Sequence, residues 1–237
     1  LMLKSPCSES DAKRMVGVPY REAIGSLLFL AVRTRPDIAV AVSILSKHVQ
    51  CPRPCHWEGI KRVLRYLKGT MSMGLTYNGE DSSPALKIYC DADWATDPED
   101  RHSRSGVVCF LGKNLVSWSS RKQSTPSVSS CEAEYVSLFE AGRDAVWIRS
   151  LMCALGLCPG SIPTQILHDN QGSIAWAEGV LRKVKHVELK YHHSQYLIST
   201  CQVKKRYVAS ALNAADCMTK ALTGTFFQRS LQFLNIT

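Results

Sequence analysis

The spacing of the apolar residues changes near residue 84, and this change divides the chain into two parts. Before it, residues 19–75 place apolar side chains at the spacing of helices. After it, Leu86, Ile88 and Cys90 alternate with residues of the opposite face, as in a β-strand. The Gly-, Ser- and Pro-containing segment 78–84 lies between them. We therefore expect a helical segment over 1–78, an α/β domain over 84–225 and a C-terminal tail over 226–237.

The α/β part is predicted from a succession of strand and helix signals. A Gly-Lys-Asn turn at 112–114 joins two apolar runs into a hairpin, and Ser129 with Glu132 predicts a capping box that opens a long helix. In chain order the pattern predicts strands at 86–90, 106–111 and 115–119, a helix at 129–155, a strand at 166–167, helices at 171–178 and 187–198, a charged edge strand at 203–208 and a helix at 213–222. This order fits a mixed sheet with helices on its faces.

Composition narrows the classes of function. Of the 237 residues 45% are hydrophobic, enough for a sizeable core, and the net charge of +9 favours a polyanionic partner, although a solvated excess of lysine would give the same charge. The ten cysteines include no CxxC pair, so a zinc site is not expected. No apolar stretch is long enough to span a bilayer, so no membrane partner is expected. The chain begins with Leu, and we expect a fragment of a longer polypeptide.

Carboxylates follow several predicted elements in a pattern typical of a two-metal hydrolase. Asp91 follows the first strand, Asp169 follows the short fourth strand, and Asp216 lies in the first turn of the last helix. Two Mg²⁺ ions close together need hard oxygen ligands from different elements. Each residue also has an ordinary alternative. Asp93 shares a strand face with Asp91, Asp169 could form an Asx turn, and Asp216 could serve the helix dipole.

A fourth carboxylate comes from the long helix, where Glu132 and Glu134 compete. Residues two apart on a helix point about 200° away from each other, so only one of them can face the site. Glu132 already has a role as the capping partner of Ser129. Glu134 shares its face with apolar and small residues suited to packing on the sheet, where a carboxylate is costly unless a cation meets it. We therefore predict Glu134 as the ligand.

The carboxylates stand within longer motifs that occur in one order along the chain. These motifs are YCDADWA at 89–95, RSG at 104–106, WSSRKQ at 118–123, SSCEAEY at 129–135, HDNQ at 168–171, KHV at 185–187 and ADCMTKAL at 215–222. Together they closely resemble the ribonuclease H domain of Ty1/copia-type retrotransposon Pol polyproteins. Upstream, YREAIGSL at 20–27, TRPDI at 34–38 and the segment 56–70 resemble the end of the preceding reverse transcriptase. The resemblance covers about residues 18–222.

The resemblance implies a ribonuclease H-like α/β fold, with a mixed five-stranded sheet and flanking helices, preceded by a thumb- or connection-like helical part of the reverse transcriptase. It implies hydrolysis of the RNA strand of RNA–DNA hybrids with two Mg²⁺ ions, for which Mn²⁺ could substitute. The implied catalytic and metal-binding residues are Asp91, Glu134, Asp169 and Asp216. The implied nucleic-acid contacts are Ser119, Ser120, Arg121, Lys122, Gln123, Asn170, Arg182, Lys183, Lys185 and His186. The expected partners are the hybrid and the rest of the polyprotein, in a cytoplasmic virus-like particle or the nucleus.

Cellular ribonucleases H commonly have a His in a loop before the last carboxylate; residues 207–211 contain none, which is also usual for copia-type domains. The chain departs from the family pattern at Cys131, Leu181 and Val184, which replace residues that are usually polar. The changes at 181 and 184 bear on how the basic stretch 182–193 holds nucleic acid. The basic charge and the retained core are equally compatible with an idle or domesticated module that binds nucleic acid or protein, which is the alternative function, and a nuclease of related fold is a third. No Tyr-x-Asp-Asp motif is present, so polymerase activity is not expected from this chain.

Overall fold

The computed structural model describes residues 9–79, 85–157, 162–178 and 188–237, with the backbone alone at 188–191. The first of these ranges is helical. It contains α1 (Glu9–Arg14), α2 (Tyr20–Arg33), a 3-10 helix (Pro36–Ile38) that continues into α3 (Ala39–Ser46), and α4 (Pro54–Gly69). Pro36 begins this 3-10 helix, because its fixed φ suits the first helical position.

The helices of the first range pack around a core of their own. Its buried apolar residues are Tyr20, Ile24, Leu27, Ala31, Ile38, Val42, Leu45, Ile60 and Val63. The Arg35 guanidinium, which is buried, donates to both the Asp37 carboxylate and the Thr70 carbonyl oxygen, and the Tyr66 hydroxyl also donates to Asp37. This network fastens the start of the 3-10 helix to the end of α4.

The described part of the remaining chain forms a five-stranded sheet. Its strands are β1 (Leu86–Asp93), β2 (Arg104–Leu111), β3 (Asn114–Lys122), β4 (Thr164–His168) and β5 (Val203–Tyr207). The spatial order is β3-β2-β1-β4-β5; β2 runs antiparallel to both β1 and β3, whereas β4 and β5 run parallel to β1. The predicted mixed five-stranded sheet with flanking helices is confirmed, and β5 is an edge strand as predicted.

One face of the sheet is covered by helices. These are α5 (Ser130–Ala154), α6 (Gln171–Ala177) and α7 (Glu188–Ser199). Ile88, Cys90, Val107 and Ile166 point from the strands into the same core as Tyr135 and other buried residues of α5. α5 packs on β1 and β2, and the Glu134 carboxyl accepts from the Ala92 N–H, so the start of α5 lies near the carboxyl end of β1, where Asp91 is found.

The opposite face is covered by the C-terminal part of the chain. A 3-10 helix (Ala214–Met218) lies on β1 and β2, and α8 (Gly224–Phe233) follows it. Ala215, Met218, Leu234 and Ile236 are buried against Val108 and other residues of this sheet face. The segment predicted as a tail is therefore mostly α8 and a chain end that packs on the sheet. Its last residues also pair with the segment after α4, through an isolated bridge between Leu75 and Ile236.

The predicted helix over 213–222 is wrong in length and type. Asn213 caps it as expected, since its side-chain oxygen accepts from the Ala215 N–H, but the helix is of the 3-10 type and ends at Met218. Short lengths are usual for 3-10 helices because their hydrogen-bond geometry is poor. Thr219 marks the end, since its hydroxyl lies within hydrogen-bonding distance of the Asp216 carbonyl oxygen and also donates to the Asp91 carboxylate.

The helical range and the sheet are in contact. The Trp118 indole Nε1 donates to the Ala31 carbonyl oxygen at 2.7 Å, and the Arg104 guanidinium donates to the Ser43 hydroxyl at 2.6 Å. Lys47 at the end of α3 pairs with Asp97 at 2.6 Å. The division of the chain at 78–84 stays a prediction. No helix in the described ranges is both long and apolar enough to cross a membrane.

Gly106 is required by the close approach of the 3-10 helix to the sheet. It lies opposite Asp91 in the β1–β2 pair. A Cβ at this position would be 2.7 Å from Met218 Cβ and 2.9 Å from the Ala215 carbonyl oxygen, closer than real Cβ contacts. Any larger residue would push the 3-10 helix, and Asp216 with it, away from β1.

We expect Gly106→Ala to lower the free energy of unfolding by about 1–3 kcal/mol, the usual cost of overpacking. Urea denaturation measures it. Gly25→Ala is the matched control, because a Cβ on this exposed position of α2 would meet nothing within 4 Å; it should raise stability by about 0.5–1 kcal/mol. Wild-type stability in Gly106→Ala would contradict the close approach.

Candidate active site

The carboxyl ends of two neighbouring parallel strands bring two of the predicted acids together. β1 ends at Asp93 and β4 ends at His168, one residue before Asp169, and the strands run in the same direction. The Cys90 carbonyl oxygen at this edge accepts from the His168 ring Nδ1 at 3.2 Å and from the Asn213 side-chain Nδ2 at 3.0 Å. Cys90, His168 and Asn213 shortly precede Asp91, Asp169 and Asp216 in the chain. The three segments that carry these acids therefore meet at the Cys90 carbonyl oxygen.

All four predicted carboxylates belong to one cluster. Single oxygens of Asp91, Asp169 and Asp216 lie within 4.8 Å of one another. A second group, with the same limit of 4.8 Å between ligand atoms, is formed by Glu134, His168 and Asp169. Asp169 is common to both groups, so the two could hold neighbouring cations. Four acids from β1, α5, the β4 end and the 3-10 helix therefore converge as the sequence predicts, while their roles stay a prediction.

Glu134 lies in a buried environment at the start of α5. Its residue is only 9% exposed, and its Oε2 has no hydrogen-bond partner among the described residues. Burial, followed by the charges of Asp91 and Asp169, raises the pKa of Glu134 to about 9, against the opposing effect of the Ala92 N–H. A buried carboxyl group with an unsatisfied oxygen is a position that a cation would stabilise.

Glu132 has the different role that the sequence predicts. The Ser129 hydroxyl accepts from the Glu132 backbone N–H at 3.2 Å, which caps α5. The Glu132 carboxylate accepts from the Val128 N–H at 2.8 Å, one residue before the N-cap. Its contacts are therefore with the segment that leads into the helix, and it is not a member of either acidic group.

Asp216 and Lys220 form an ion pair at the edge of the cluster. Lys220 Nζ lies 2.9 Å from Asp216 Oδ1 and 3.4 Å from Asp91 Oδ2. Burial, then the charge of Asp91, raises the pKa of Asp216 to about 6, although Lys220 opposes this rise. Lys220 and Thr219 lie in the motif at 215–222 but were not predicted as site residues. The signal that could have found Lys220 is its spacing of four residues from Asp216, the spacing of helical ion pairs.

His168 is a second residue that the sequence analysis missed as part of the site. Its ring is fully buried, with Nδ1–H donating to Cys90 and Nε2 at 3.6 Å from Glu134 Oε2. Burial lowers the pKa of His168, which favours the neutral ring. Its position next to Asp169 in the sequence did not predict a role in the site, because the ring could equally have faced solvent.

Asp93, the alternative to Asp91, lies outside both acidic groups. It lines a crevice of about 240 Å³ between the end of α3 and the sheet, together with Lys47, Arg104 and Lys122. Burial raises the pKa of Asp93. The geometry therefore favours Asp91 as the member of the cluster.

The predicted nucleic-acid contacts on β3 divide between the two faces of the sheet. Ser119 pairs with Val107, whose side chain faces α5, whereas Ser120 accepts from Arg104 on the opposite face. Arg121 is exposed, and Lys122 is paired with Asp97 and Asp100. The β3 residues therefore do not form one continuous surface.

Gln123 is not available for a surface contact, contrary to the prediction. It is 3% exposed, and its amide nitrogen donates to the Ser105 hydroxyl and to the Ala133 carbonyl oxygen, both at 2.9 Å. It joins β2 to the start of α5, a position that short-range sequence patterns do not reveal. Asn170 caps α6 by accepting from the Ser173 N–H. Arg182, Lys183, Lys185 and His186 lie outside the described residues.

Comparison with known proteins identifies relatives in transposons. The chain is 33% identical over 225 residues to the retrovirus-related Pol polyprotein from transposon TNT 1-94 of Nicotiana tabacum, covering 94% of this chain and 17% of the relative. It is 37% identical over 211 residues to the Pol polyprotein from transposon RE2 of Arabidopsis thaliana, covering 88% and 14%. The chain therefore spans less than a fifth of the length of these polyproteins.

A shorter relative matches along almost its entire length. This is the secreted RxLR effector protein 161 of Plasmopara viticola, 47% identical over 134 residues, which cover 56% of this chain and 94% of the relative. No protein-family model matches the chain.

Solved structures with a similar backbone are RNase H domains. The N-terminal RNase H domain of a Mycobacterium tuberculosis protein matches with a TM-score of 0.43 and 19% identity, over 63% of this chain and 98% of that chain. LC11-RNase H1, isolated from compost, matches with a TM-score of 0.44 and 19% identity, over 57% and 93%.

The pKa of Glu134 predicts how stability depends on pH in a chelating buffer. An unfolded glutamate loses its proton near pH 4.3, whereas folded Glu134 keeps it up to about pH 9. Within this window Glu134 binds more protons in the folded state, so its contribution to the free energy of unfolding should fall as pH rises. Asp216 contributes with the same sign only up to about pH 6. Burial lowers the pKa of Lys205 to about 7, so Lys205 contributes with the opposite sign above pH 7. The difference between the wild type and a variant at position 134 therefore isolates the Glu134 contribution.

Glu134→Gln should lack this contribution, because the amide carries no proton to lose. Urea denaturation in EDTA at pH 5, 6.5, 7.5 and 9 measures it. The free energies of unfolding of the variant and the wild type should differ least at pH 5, close to the range where Glu134 is protonated in both the folded and the unfolded state, and the difference should grow as pH rises to 9. The same pH dependence in both proteins would show that Glu134 is not the residue responsible.

Proposed function

Because the chain belongs to the retrovirus-related Pol polyproteins of copia-type transposons, of which it spans one segment, we propose that it hydrolyses the RNA strand of RNA–DNA hybrids. Its fold is ribonuclease H-like, with three antiparallel strands followed by two strands parallel to the first. The observation that carries the proposal is the convergence of oxygens from Asp91, Asp169 and Asp216 within 4.8 Å, joined to Glu134 through Asp169.

The residues of the cluster fit divalent cations. Their side chains supply carboxylate oxygens, the ligands that Mg²⁺ prefers, and the buried Glu134 Oε2 lacks any other partner among the described residues. Asp91, Glu134, Asp169 and Asp216 would hold two Mg²⁺ ions, or Mn²⁺ in their place. When bound, such ions supply an activated water and a stabilised leaving 3′-oxygen.

The protein itself holds the ligand side chains in place and sets the protonation state of Glu134. The Thr219 hydroxyl donates to Asp91 Oδ2, and the Asn213 and His168 bonds to the Cys90 carbonyl oxygen keep three chain segments together. Glu134 has to lose its proton to act as a ligand, because its pKa of about 9 keeps it neutral near pH 7 without a cation. Preorganised ligands of this kind need no rearrangement during the reaction.

The hybrid would be held mainly through its phosphates. Arg121 is exposed on β3 and Lys122 lines the crevice that contains Asp93, and these two cations are the phosphate contacts that we propose on β3. Ser119 and Ser120 remain candidates on their respective faces. Recognition through phosphates and 2′-hydroxyls predicts low sequence specificity. The remainder of the polyprotein, including the upstream reverse transcriptase, is the protein partner that we propose.

We expect the protein to cleave a labelled RNA–DNA hybrid in the presence of Mg²⁺ and to leave duplex DNA intact. Asp91→Asn should lower the rate by at least about a hundred-fold, because a ligand of the metal-assisted step is lost. Asp93→Asn is the matched control on the same strand face, and it should keep most of the activity since Asp93 lies outside both acidic groups. Gel electrophoresis of the labelled RNA measures both.

The outcomes separate the candidate functions. Hybrid binding without cleavage, unaffected by Mg²⁺ and by Asp169→Asn, would favour an idle binding module. Robust cleavage of duplex DNA would favour a related nuclease. Equal cleavage by the wild type and Asp91→Asn would point to a contaminating nuclease, and the proposal would lose its support.

A further inference from the structure

We propose that the Lys220 ammonium is a built-in counter-ion of the carboxylate cluster, which holds the Asp91–Asp216 side without metal and has to leave it when a divalent cation binds there. The inference rests on the proposed function only in assuming that the cluster takes divalent cations. Lys220 is then a positioning residue, acting through Asp91 and Asp216.

The position of the ammonium supports this role. Lys220 Nζ lies 2.9 Å from Asp216 Oδ1 and 3.4 Å from Asp91 Oδ2, so it bridges the two acids. In the described part of the chain, no other Lys or Arg side chain forms an ion pair with any of the four clustered carboxylates. Asp91 and Asp216 also belong to one of the two groups whose oxygens lie close enough to share a cation.

The local structure directs Lys220 to this place. The Lys220 backbone N–H donates to the Asp216 carbonyl oxygen at 3.0 Å, so the chain turns once between them and brings both side chains to the same side. Thr219, the intervening neighbour, donates its hydroxyl to Asp91 Oδ2. Burial lowers the pKa of Lys220, but Asp91 and Asp216 outweigh this effect and raise it, which keeps the ammonium charged.

A divalent cation and the ammonium compete for the same oxygens. Asp91 Oδ2 already accepts from the Thr219 hydroxyl and lies 3.4 Å from the Lys220 ammonium. Like charges a few ångströms apart repel each other even with strong solvent screening. The Lys220 side chain is 39% exposed, so the ammonium has a direct path from the cluster to solvent.

The two sides of the cluster are consequently unequal. The Glu134–Asp169 side has no ammonium among the described residues, and Glu134 Oε2 is unpaired there. Removal of the Lys220 charge should therefore strengthen cation binding on one side only. It should also remove the attraction that holds Asp91 and Asp216 together in the metal-free protein.

The test is calorimetric titration of the metal-free protein with MnCl₂ at pH 7.5, without nucleic acid. Lys220→Met, which keeps the length and removes the charge, should bind Mn²⁺ with a Kd about ten-fold lower than the wild type. Lys220→Arg should stay within about three-fold of the wild type because it keeps the cation. Lys113→Met is the control for net charge, since Lys113 lies in the turn at the opposite end of the sheet; it should leave the Kd unchanged.

A second measurement uses the wild-type protein and does not depend on a variant that folds. The ¹⁵Nζ resonance of Lys220, assigned by its absence from Lys220→Arg, should shift on addition of MgCl₂ towards the position of a solvated lysine. An unshifted resonance at saturating Mg²⁺ would overturn the proposal. A Kd for Mn²⁺ that is the same or higher in Lys220→Met would also overturn it. The same holds if neither the wild type nor the variants bind Mn²⁺.

These outcomes are separable from those of the cleavage assay. Tighter Mn²⁺ binding by Lys220→Met, with no cleavage of hybrid by the wild type, would leave the role of Lys220 intact and remove the proposed function. Cleavage of the hybrid with an unchanged Kd in the variant would do the reverse.

Discussion

The carbonyl oxygen of Cys90 is the acceptor on which the arrangement of the site depends. It accepts from His168 at the end of β4 and from Asn213 at the start of the 3-10 helix, and it directly precedes Asp91. Three segments that are far apart in sequence are therefore fixed to one buried peptide group. An unpaired carbonyl oxygen in the protein interior costs free energy, so the hydrogen bonds from these donors to Cys90 are favoured. The carboxylates of Asp91, Asp169 and Asp216 are therefore positioned by the residues that precede them in the chain.

The carboxylates of the cluster repel one another when they are ionised. Asp91, Asp169 and Asp216 have oxygens within 4.8 Å of one another and Glu134 joins them through Asp169, so all four can be ionised together only where cations offset their charge. Two devices reduce this repulsion in the chain: the pKa of Glu134 is raised to about 9, so it keeps its proton, and Lys220 pairs with Asp91 and Asp216. Both are reversible, since Glu134 can lose its proton and Lys220 can turn towards solvent. The carboxylate cluster is therefore stabilised without metal and can still bind cations.

The sequence predicted those features that depend on short-range periodicity. Alternation in 86–90, the hairpin turn and the capping of α5 by Ser129 gave the sheet and its long helix, and helix geometry separated Glu134 from Glu132. Features that depend on contacts between distant segments were not accessible. Gln123 is buried because it joins β2 to α5, and the last predicted helix is shortened to 214–218 because Thr219 bonds to β1. His168 was missed for the same reason, since its partners lie on β1 and α5. Lys220 could have been found from its spacing of four residues from Asp216, but its second partner, Asp91, lies on β1.

The position of Asp216 near the end of this sequence determines how truncation would affect the protein. Residues 213–237 carry Asp216 and also bury Ala215, Met218, Leu234 and Ile236 against one face of the sheet. A premature stop codon upstream of 213 would therefore expose that face and remove the acid in one event. Loss of this segment is therefore expected to impair folding together with the site, whereas a missense change at one of the acids would alter the site and leave the buried apolar contacts in place.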